Sequence, residues 1–165
     1  MIIPNWAKLV LSIGVAQLAG IIGSVFTVSS VSTWYAVLEK PSLNPPAGVF
    51  GPVWTTLFVL MGIALFLVWK QYPKIRTNSR ILKVWKIAIV MFFVQLVLNT
   101  GWSILFFGLK NPGLALIEII ILWLAIVVTM VWFYKISKPA AYLLAPYIAW
   151  VSFAVYLNYA IWTLN

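Results

Sequence analysis

The fold class follows from stretches such as residues 113–135, which read GLALIEIIILWLAIVVTMVWFYK and carry one acid, Glu118, before the final Lys135. A helix needs about 20 mostly apolar residues to cross the hydrocarbon core of a bilayer, and this stretch has that length. Four further windows of this kind lie at residues 7–28, 46–69, 82–106 and 140–162. The sequence therefore predicts an all-α membrane protein, a bundle of five transmembrane helices that forms one domain over residues 1–165.

The composition supports this prediction and excludes several classes of protein. Of the 165 residues, 64% are hydrophobic and 8% are charged, whereas about a quarter of the residues in a soluble domain are charged. The first window is expected to be a retained helix, because its apolar run is longer than a signal-peptide core and no clear cleavage site follows it. The chain has no histidine and no cysteine. Disulfides, zinc sites, thiol nucleophiles and an imidazole general base are therefore excluded.

The charges predict an orientation. Eleven Lys and Arg residues face two acids, giving a net charge of +9. Nine of the eleven flank the N-terminus and the second and fourth connections: Lys8, Lys70, Lys74, Arg76, Arg80, Lys83, Lys86, Lys135 and Lys138. Loops rich in Lys and Arg stay in the cytoplasm, so the N-terminus is expected to be cytoplasmic and the C-terminus external. Such loops need no partner beyond anionic membrane lipid, so nucleic acid is not expected; the pattern suits a bacterial inner membrane.

Aromatic and polar residues within the spans predict a ligand-binding pocket. Trp54, Trp123 and Trp150 lie inside spans, where an aromatic belt at the membrane interface does not account for them. Helical spacing places residues of three spans on inward faces: Phe50 and Trp54; Asn99, Trp102 and Phe106; and Trp150, Phe153 and Leu157. An aromatic wall with a few hydrogen-bonding groups is typical of a site for a flat, largely apolar molecule. The alternative is that these faces simply pack against one another.

Two further features have more than one interpretation. Glu118 is the sole acid in any span, and it is interpreted as a protonated group bonded across helices, a proton-relay member or part of a ligand site. Ala16, Gly20 and Gly23 form a stripe of small residues on the first span. Such stripes let helices approach closely, within one chain or across a dimer interface.

Four segments of the sequence resemble the TspO/MBR translocator protein family, the tryptophan-rich sensory proteins once named peripheral-type benzodiazepine receptors. The matching segments run from residue 34 to the C-terminal part of the chain. They are Trp34-Tyr35-x-x-Leu38-x-Lys40-Pro41-Ser42-x-x-Pro45-Pro46, Val49-Phe50-Gly51-Pro52-Val53-Trp54, Leu98-Asn99-x-x-Trp102-x-x-x-Phe106-Phe107-Gly108, and Pro146-Tyr147-x-x-Trp150-x-x-Phe153-Ala154-x-x-Leu157-Asn158.

The resemblance implies a five-helix bundle, often a homodimer, whose first external loop covers a pocket. The family binds protoporphyrin IX, haem, isoquinoline carboxamides and benzodiazepines, and some bacterial members degrade porphyrin in light and oxygen. Trp54 and Trp150 become candidate catalytic residues if porphyrin is degraded photo-oxidatively. The predicted ligand-binding residues are Tyr35, Pro45, Phe50, Trp54, Asn99, Trp102, Phe106, Glu118, Trp150, Phe153, Ala154 and Leu157.

Departures from the family pattern refine these expectations. Thr163 stands where the animal cholesterol motif has an arginine, so specific cholesterol binding is not expected. Histidine and cysteine are absent, which leaves Tyr or Met as the alternative iron ligands; an iron-free porphyrin held by stacking fits better than haem, and no metal site or obligatory cofactor is predicted. The leading hypothesis is a porphyrin-binding protein of tetrapyrrole handling or stress sensing, with possible photo-oxidative turnover. The alternatives are a transporter of porphyrins or other hydrophobic ligands, and a ligand-binding sensor without turnover.

Overall fold

A computed structural model describes residues 3–165, and the described chain is a bundle of helices without strands. The segments are α1 (Asn5–Val31), α2 (Trp34–Val37), α3 (Ala47–Trp69), α4 (Tyr72–Ile75), α5 (Ser79–Ser103), a π-helical turn (Ile104–Gly108), α6 (Pro112–Tyr134), α7 (Lys138–Tyr142) and α8 (Ala145–Leu164). Five spans are long and apolar enough to cross a membrane, with α7 and α8 together forming the fifth. The predicted five-helix membrane bundle is confirmed; the orientation of its termini stays a prediction.

Local sequence determines where several helices begin. The side-chain oxygens of Asn78 and Asn111 accept hydrogen bonds from the backbone N–H of Ile81 (3.2 Å) and Leu114 (3.0 Å). These bonds satisfy N–H groups that have no partner in the first turn of a helix. Pro112 is the first residue of α6, where a missing N–H does no harm. The short α2 and α4 in the connections were not among the predicted elements.

The third span ends in a wider turn than an α-helix. The N–H of Leu109 donates to the carbonyl of Ile104 at 2.8 Å, and this i to i+5 bond marks the π-helical turn. Both Phe106 and Phe107 are buried there, although they are neighbours in sequence. The hydroxyl of Ser30 in α1 donates to the carbonyl of Phe107 at 2.8 Å. The turn therefore directs two phenylalanine rings inward and fastens the end of the third span to α1.

The fifth span is interrupted between α7 and α8, whereas the sequence predicts one continuous window, residues 140–162. Leu143 and Leu144 separate the two helices, and Pro146 occupies the first turn of α8. Proline has no N–H to continue the hydrogen-bond ladder and its ring clashes with the preceding turn, so it favours a break at this point. The adjacent Tyr147 is completely buried.

The helices form a ring that is tighter at one end. α1 packs against α3 and α5, α6 packs against α5 and α8, and α7 returns to α3. The end that carries Lys70, Lys83 and Lys138 is called the basic end, and the opposite end, covered by α2, is called the lid end. In the basic half, Phe92 and Phe133 stack with their centroids 5.8 Å apart, and both rings are completely buried. Because lipid is as apolar as these side chains, close packing rather than the hydrophobic effect holds the helices together here.

The stripe of small residues on α1 lies inside the chain. A Cβ atom at Gly20 would overlap the ring of Phe58 in α3, and one at Gly23 would lie 3.1 Å from the hydroxyl of Ser103. Ala16 is completely buried. Of the two interpretations, packing within the chain is therefore the one that the structure supports, and a homodimer would use other surfaces.

Candidate ligand-binding site

A cavity of about 490 Å³ lies at the lid end, between α1, α3, α5 and α8 and beneath α2. Pockets for small molecules in proteins commonly measure about 300–1,000 Å³, so this volume is suitable for a ligand. The residues that line it within the described chain carry no charge; their polar members are Gln17, Ser24, Thr27, Ser32, Tyr35, Thr55, Asn99, Ser103 and Asn158.

Aromatic rings from three helices form the inner walls. Phe50 in α3 meets Trp150 in α8 edge-on, with centroids 6.0 Å apart. Trp102 stacks on Phe106 at 5.0 Å with an interplanar angle of 24°. Such edge and stacked arrangements are favourable for quadrupolar rings and present broad apolar faces. The walls are therefore suited to a flat, aromatic ligand.

A buried hydrogen-bond network forms the floor of the cavity. The hydroxyl of Tyr147 donates to Oε1 of Gln95 (2.9 Å) and accepts from Nδ2 of Asn99 (3.0 Å). Nε2 of Gln95 donates to the sulfur of Met61 at 3.9 Å. In hydrocarbon an unpaired polar group is costly, so these partners keep α5 and α8 in a fixed relation. Asn99 alone of these residues lines the cavity.

The indole N–H groups differ in whether they have protein partners. Trp102 donates to Oδ1 of Asn158 at 2.9 Å, and Trp123, outside the cavity, donates to the hydroxyl of Ser152 at 2.9 Å. Within residues 3–165, the N–H of Trp54 and that of Trp150 make no hydrogen bond to the protein. Both of these rings line the cavity, so two donors are available to a ligand.

The lid consists of α2 and the segment that follows it. The hydroxyl of Tyr35 donates to Oδ1 of Asn44 at 2.8 Å, and Nζ of Lys40 lies 4.9 Å from the centre of the Tyr35 ring. Burial raises the pKa of Tyr35 above its ordinary value and the bond to Asn44 partly offsets this, so the phenol keeps its proton. The side chain of Asn165 accepts from the N–H of Glu39 (3.0 Å) and donates to its carbonyl (3.1 Å). The Tyr35–Asn44 bond therefore stabilises the lid internally, and the bonds of Asn165 fasten the lid to the C-terminal end of the chain.

The structure brings together ten of the twelve predicted ligand-binding residues. The lining includes Tyr35, Phe50, Trp54, Asn99, Trp102, Phe106, Trp150, Phe153, Ala154 and Leu157. Their role in binding stays a prediction, but the aromatic faces of the second, third and fifth spans do meet at one cavity.

Two predicted residues lie outside the lining. Pro45 belongs to the lid, and its carbonyl accepts a hydrogen bond from Nδ2 of Asn44. Glu118 points at α5, with Oε1 3.7 Å from the position that a Cβ atom of Gly101 would occupy. Within the described residues, neither of its carboxyl oxygens has a hydrogen-bond partner. Its side chain is directed between helices rather than into the cavity.

Sequence reasoning missed the wall formed by α1. Gln17, Ser24, Thr27 and Val28 line the cavity, and with Thr55 of α3 they complete the side opposite the aromatic rings. Ser24, Thr27 and Val28 have small hydroxyl or aliphatic side chains, so the aromatic periodicity that predicts the other walls is absent from α1. The one available signal was Gln17, a polar side chain inside the first span.

Comparison with known proteins identifies the family. The model of the TspO/MBR family matches residues 12–163. The chain belongs to the TspO/MBR family. It is 47% identical to the tryptophan-rich protein TspO of Chlorobaculum tepidum over 161 residues, covering 95% of each chain. It is also 47% identical to the tryptophan-rich protein TspO of Archaeoglobus fulgidus, covering 98% of this chain and 99% of that protein.

Animal members of the TspO/MBR family are similar over nearly the same length. The translocator protein of Homo sapiens is 36% identical over 162 residues, covering 98% of this chain and 92% of the human protein. Family membership and the five spans establish a multi-pass membrane protein of translocator type.

Proposed function

We propose that this chain binds a porphyrin of the protoporphyrin IX class in the lid-end cavity and serves tetrapyrrole handling or stress sensing in a bacterial inner membrane. The observation that carries the proposal is the neutral cavity, with Trp54, Trp102 and Trp150 in its walls. A macrocycle stacks on indole faces, and acceptor groups at its edge meet the unpaired indole donors or the amide of Asn99.

An iron-free porphyrin agrees best with these side chains. Tyr35 is the one phenol in the lining of the described chain, and its hydroxyl is already engaged with Asn44. Histidine and cysteine are absent from the sequence. Tyr35 is therefore the one residue of the lining that could ligate haem iron, and it would have to give up its bond to Asn44 to do so.

Light can drive chemistry in such a complex without an acid–base residue. An indole of Trp54 or Trp150 gives one electron to the excited porphyrin, leaving an indole radical cation and a porphyrin radical anion. Dioxygen is the oxidant that takes the electron from the reduced porphyrin. The indole radical cation then takes an electron from the ground-state porphyrin, and the porphyrin radical cation combines with the superoxide. The macrocycle thereby gains both atoms of dioxygen, which leads to its oxidative breakdown, and the indole is restored.

Titration with protoporphyrin IX tests binding, and illumination tests turnover. The variant Trp54→Phe with Trp150→Phe is expected to weaken binding at least several-fold and to slow loss of the Soret band. The matched control is Trp6→Phe with Trp162→Phe, which removes two tryptophans that are more than half exposed and do not line the cavity. Equal binding and bleaching in the two double variants would refute both the site and its chemistry.

The competing functions predict different measurements. A sensor without turnover binds protoporphyrin IX but yields no new pigment on illumination. A transporter moves porphyrin across a liposome membrane in the dark. The basic half below Asn99 and Tyr147 is filled with buried apolar side chains, so the structure lends transport no specific support.

A further inference from the structure

The cavity has one side that is open to the outer surface of the bundle. On the α5 and α8 sides, Trp102 and Leu157 are half-buried or buried. On the α1 side, Ile21 and Val28 also line the cavity, but they are 58% and 73% exposed. Side chains that faced only an enclosed space would not be so exposed. These two residues therefore stand where the cavity meets the surface.

The facing edge belongs to α3. Ala47, Gly51 and Thr55 are exposed and line the same cavity. The gap between these residues of α3 and residues 21–28 of α1 is called the lateral slot. Below it the helices are in contact: Nε2 of Gln17 donates to the carbonyl of Thr55 at 3.1 Å, and Gly20 meets the ring of Phe58.

The polar groups along the lateral slot are already satisfied. The hydroxyls of Ser24, Thr27 and Thr55 donate to the carbonyls of Ile21 (2.7 Å), Gly23 (3.1 Å) and Gly51 (2.9 Å) within their own helices. A polar group that is bonded in this way can face hydrocarbon without the cost of an unpaired donor. The slot can therefore face lipid, and an apolar molecule can pass it without breaking a helix–helix hydrogen bond.

We propose that the lateral slot is the doorway through which the ligand passes between the cavity and the bilayer leaflet at the lid end. The proposal rests on the proposed function, since it assumes that a flat apolar molecule occupies the cavity. Such molecules concentrate in lipid, so a doorway in the bundle wall meets them at a higher concentration than an opening toward water. The lid, fastened by Asn165 through two bonds to Glu39, then stays closed during exchange.

Matched bulky variants test the doorway. Ile21→Phe with Gly51→Phe narrows the slot from both sides, whereas Ile22→Phe with Gly48→Phe adds the same bulk on the same helices to residues that do not line the cavity. Ile21 and Ile22 are both more than half exposed, and a Cβ atom at Gly48 or Gly51 meets nothing within 4 Å.

The measurement is the exchange of protoporphyrin IX, followed by its own fluorescence, in proteoliposomes preloaded with the porphyrin. Narrowing the doorway raises the barrier in both directions, so we expect the association and dissociation rates of protoporphyrin IX to fall together, at least tenfold. The control variant is expected to keep wild-type rates. Association in the narrowed variant within twofold of wild type would overturn the proposal.

A disulfide across the lid gives an independent test, because the chain has no cysteine of its own. Glu39→Cys with Asn165→Cys joins two residues that already share hydrogen bonds. Unchanged association after oxidation supports the lateral slot, and association that oxidation blocks and reduction restores overturns it. If the bulky variant does not fold, Ile21→Cys modified with a large maleimide after folding replaces it, with Ile22→Cys as the control.

The two proposals fail in different ways. Absence of protoporphyrin IX binding to the wild-type protein at equilibrium would refute the proposed function. If the wild-type protein binds protoporphyrin IX but the Ile21→Phe, Gly51→Phe variant exchanges it at the wild-type rate, the doorway alone is refuted.

Discussion

Replacing Tyr147 with phenylalanine removes one oxygen atom from beneath the cavity floor and leaves the ring in place. The hydroxyl that is lost joins Gln95 and Asn99 of α5 to α8 through two hydrogen bonds. Tyr147 is completely buried, so water cannot take over its role. Oε1 of Gln95 loses its donor, and Nδ2 of Asn99 loses its acceptor.

The size of the effect can be bounded. Side-chain hydrogen bonds within membrane proteins contribute about 0.6 kcal/mol on average and about 1.7 kcal/mol at most. Leaving a buried polar group without its partner costs about 1–3 kcal/mol. At the values for membrane proteins, the two bonds predict a destabilisation of about 1–3 kcal/mol, which is roughly a 5- to 150-fold shift in the unfolding equilibrium.

Reversible unfolding by SDS in mixed micelles, followed by circular dichroism, measures this change. The control is Tyr156→Phe, which makes the same chemical change on α8 at a tyrosine that is 42% exposed. We expect that control to stay within about 0.5 kcal/mol of wild type. Equal stability of the two variants would show that the Gln95–Tyr147–Asn99 network does not contribute to holding α5 and α8 together.

Two further predictions concern helix packing and the lid. Gly62→Leu should destabilise the bundle by roughly 3 kcal/mol or more, because a Cβ atom at residue 62 would lie 2.5 Å from Cα of Ile13. The control, Gly14→Leu, is at a position where a Cβ atom meets open space, so it should be nearly neutral in the same SDS titration. Asn165→Ala should increase amide hydrogen exchange around Glu39 about tenfold, because it removes both side-chain bonds to that residue; unchanged exchange would mean that other contacts hold the lid.

The sequence predicts the spans and the aromatic half of the site for a physical reason. Span length is fixed by bilayer thickness, and the faces with Trp54, Asn99 and Trp150 follow from helical periodicity. Span length and helical periodicity are properties of a single helix, so the sequence of that helix predicts them without knowledge of the neighbouring helices.

The parts that sequence reasoning did not predict depend on how helices meet. Ser24 and Thr27 of α1 become cavity residues because α1 and α3 separate at the lid end. Glu118 lies at a depth typical of a site residue, but its direction is decided by the groove at Gly101. The π-helical turn at residues 104–108 arises from a shift of a single hydrogen bond, which has no compositional signature.

The packed basic half of the bundle limits the direction in which a ligand could leave the cavity. Phe92 and Phe133 are completely buried in the bundle below the floor network. If the ligand enters by the proposed doorway, this packing separates it from the opposite leaflet. The protein would then be a reservoir in equilibrium with one side of the membrane, and its fractional occupancy would measure the ligand concentration on that side alone.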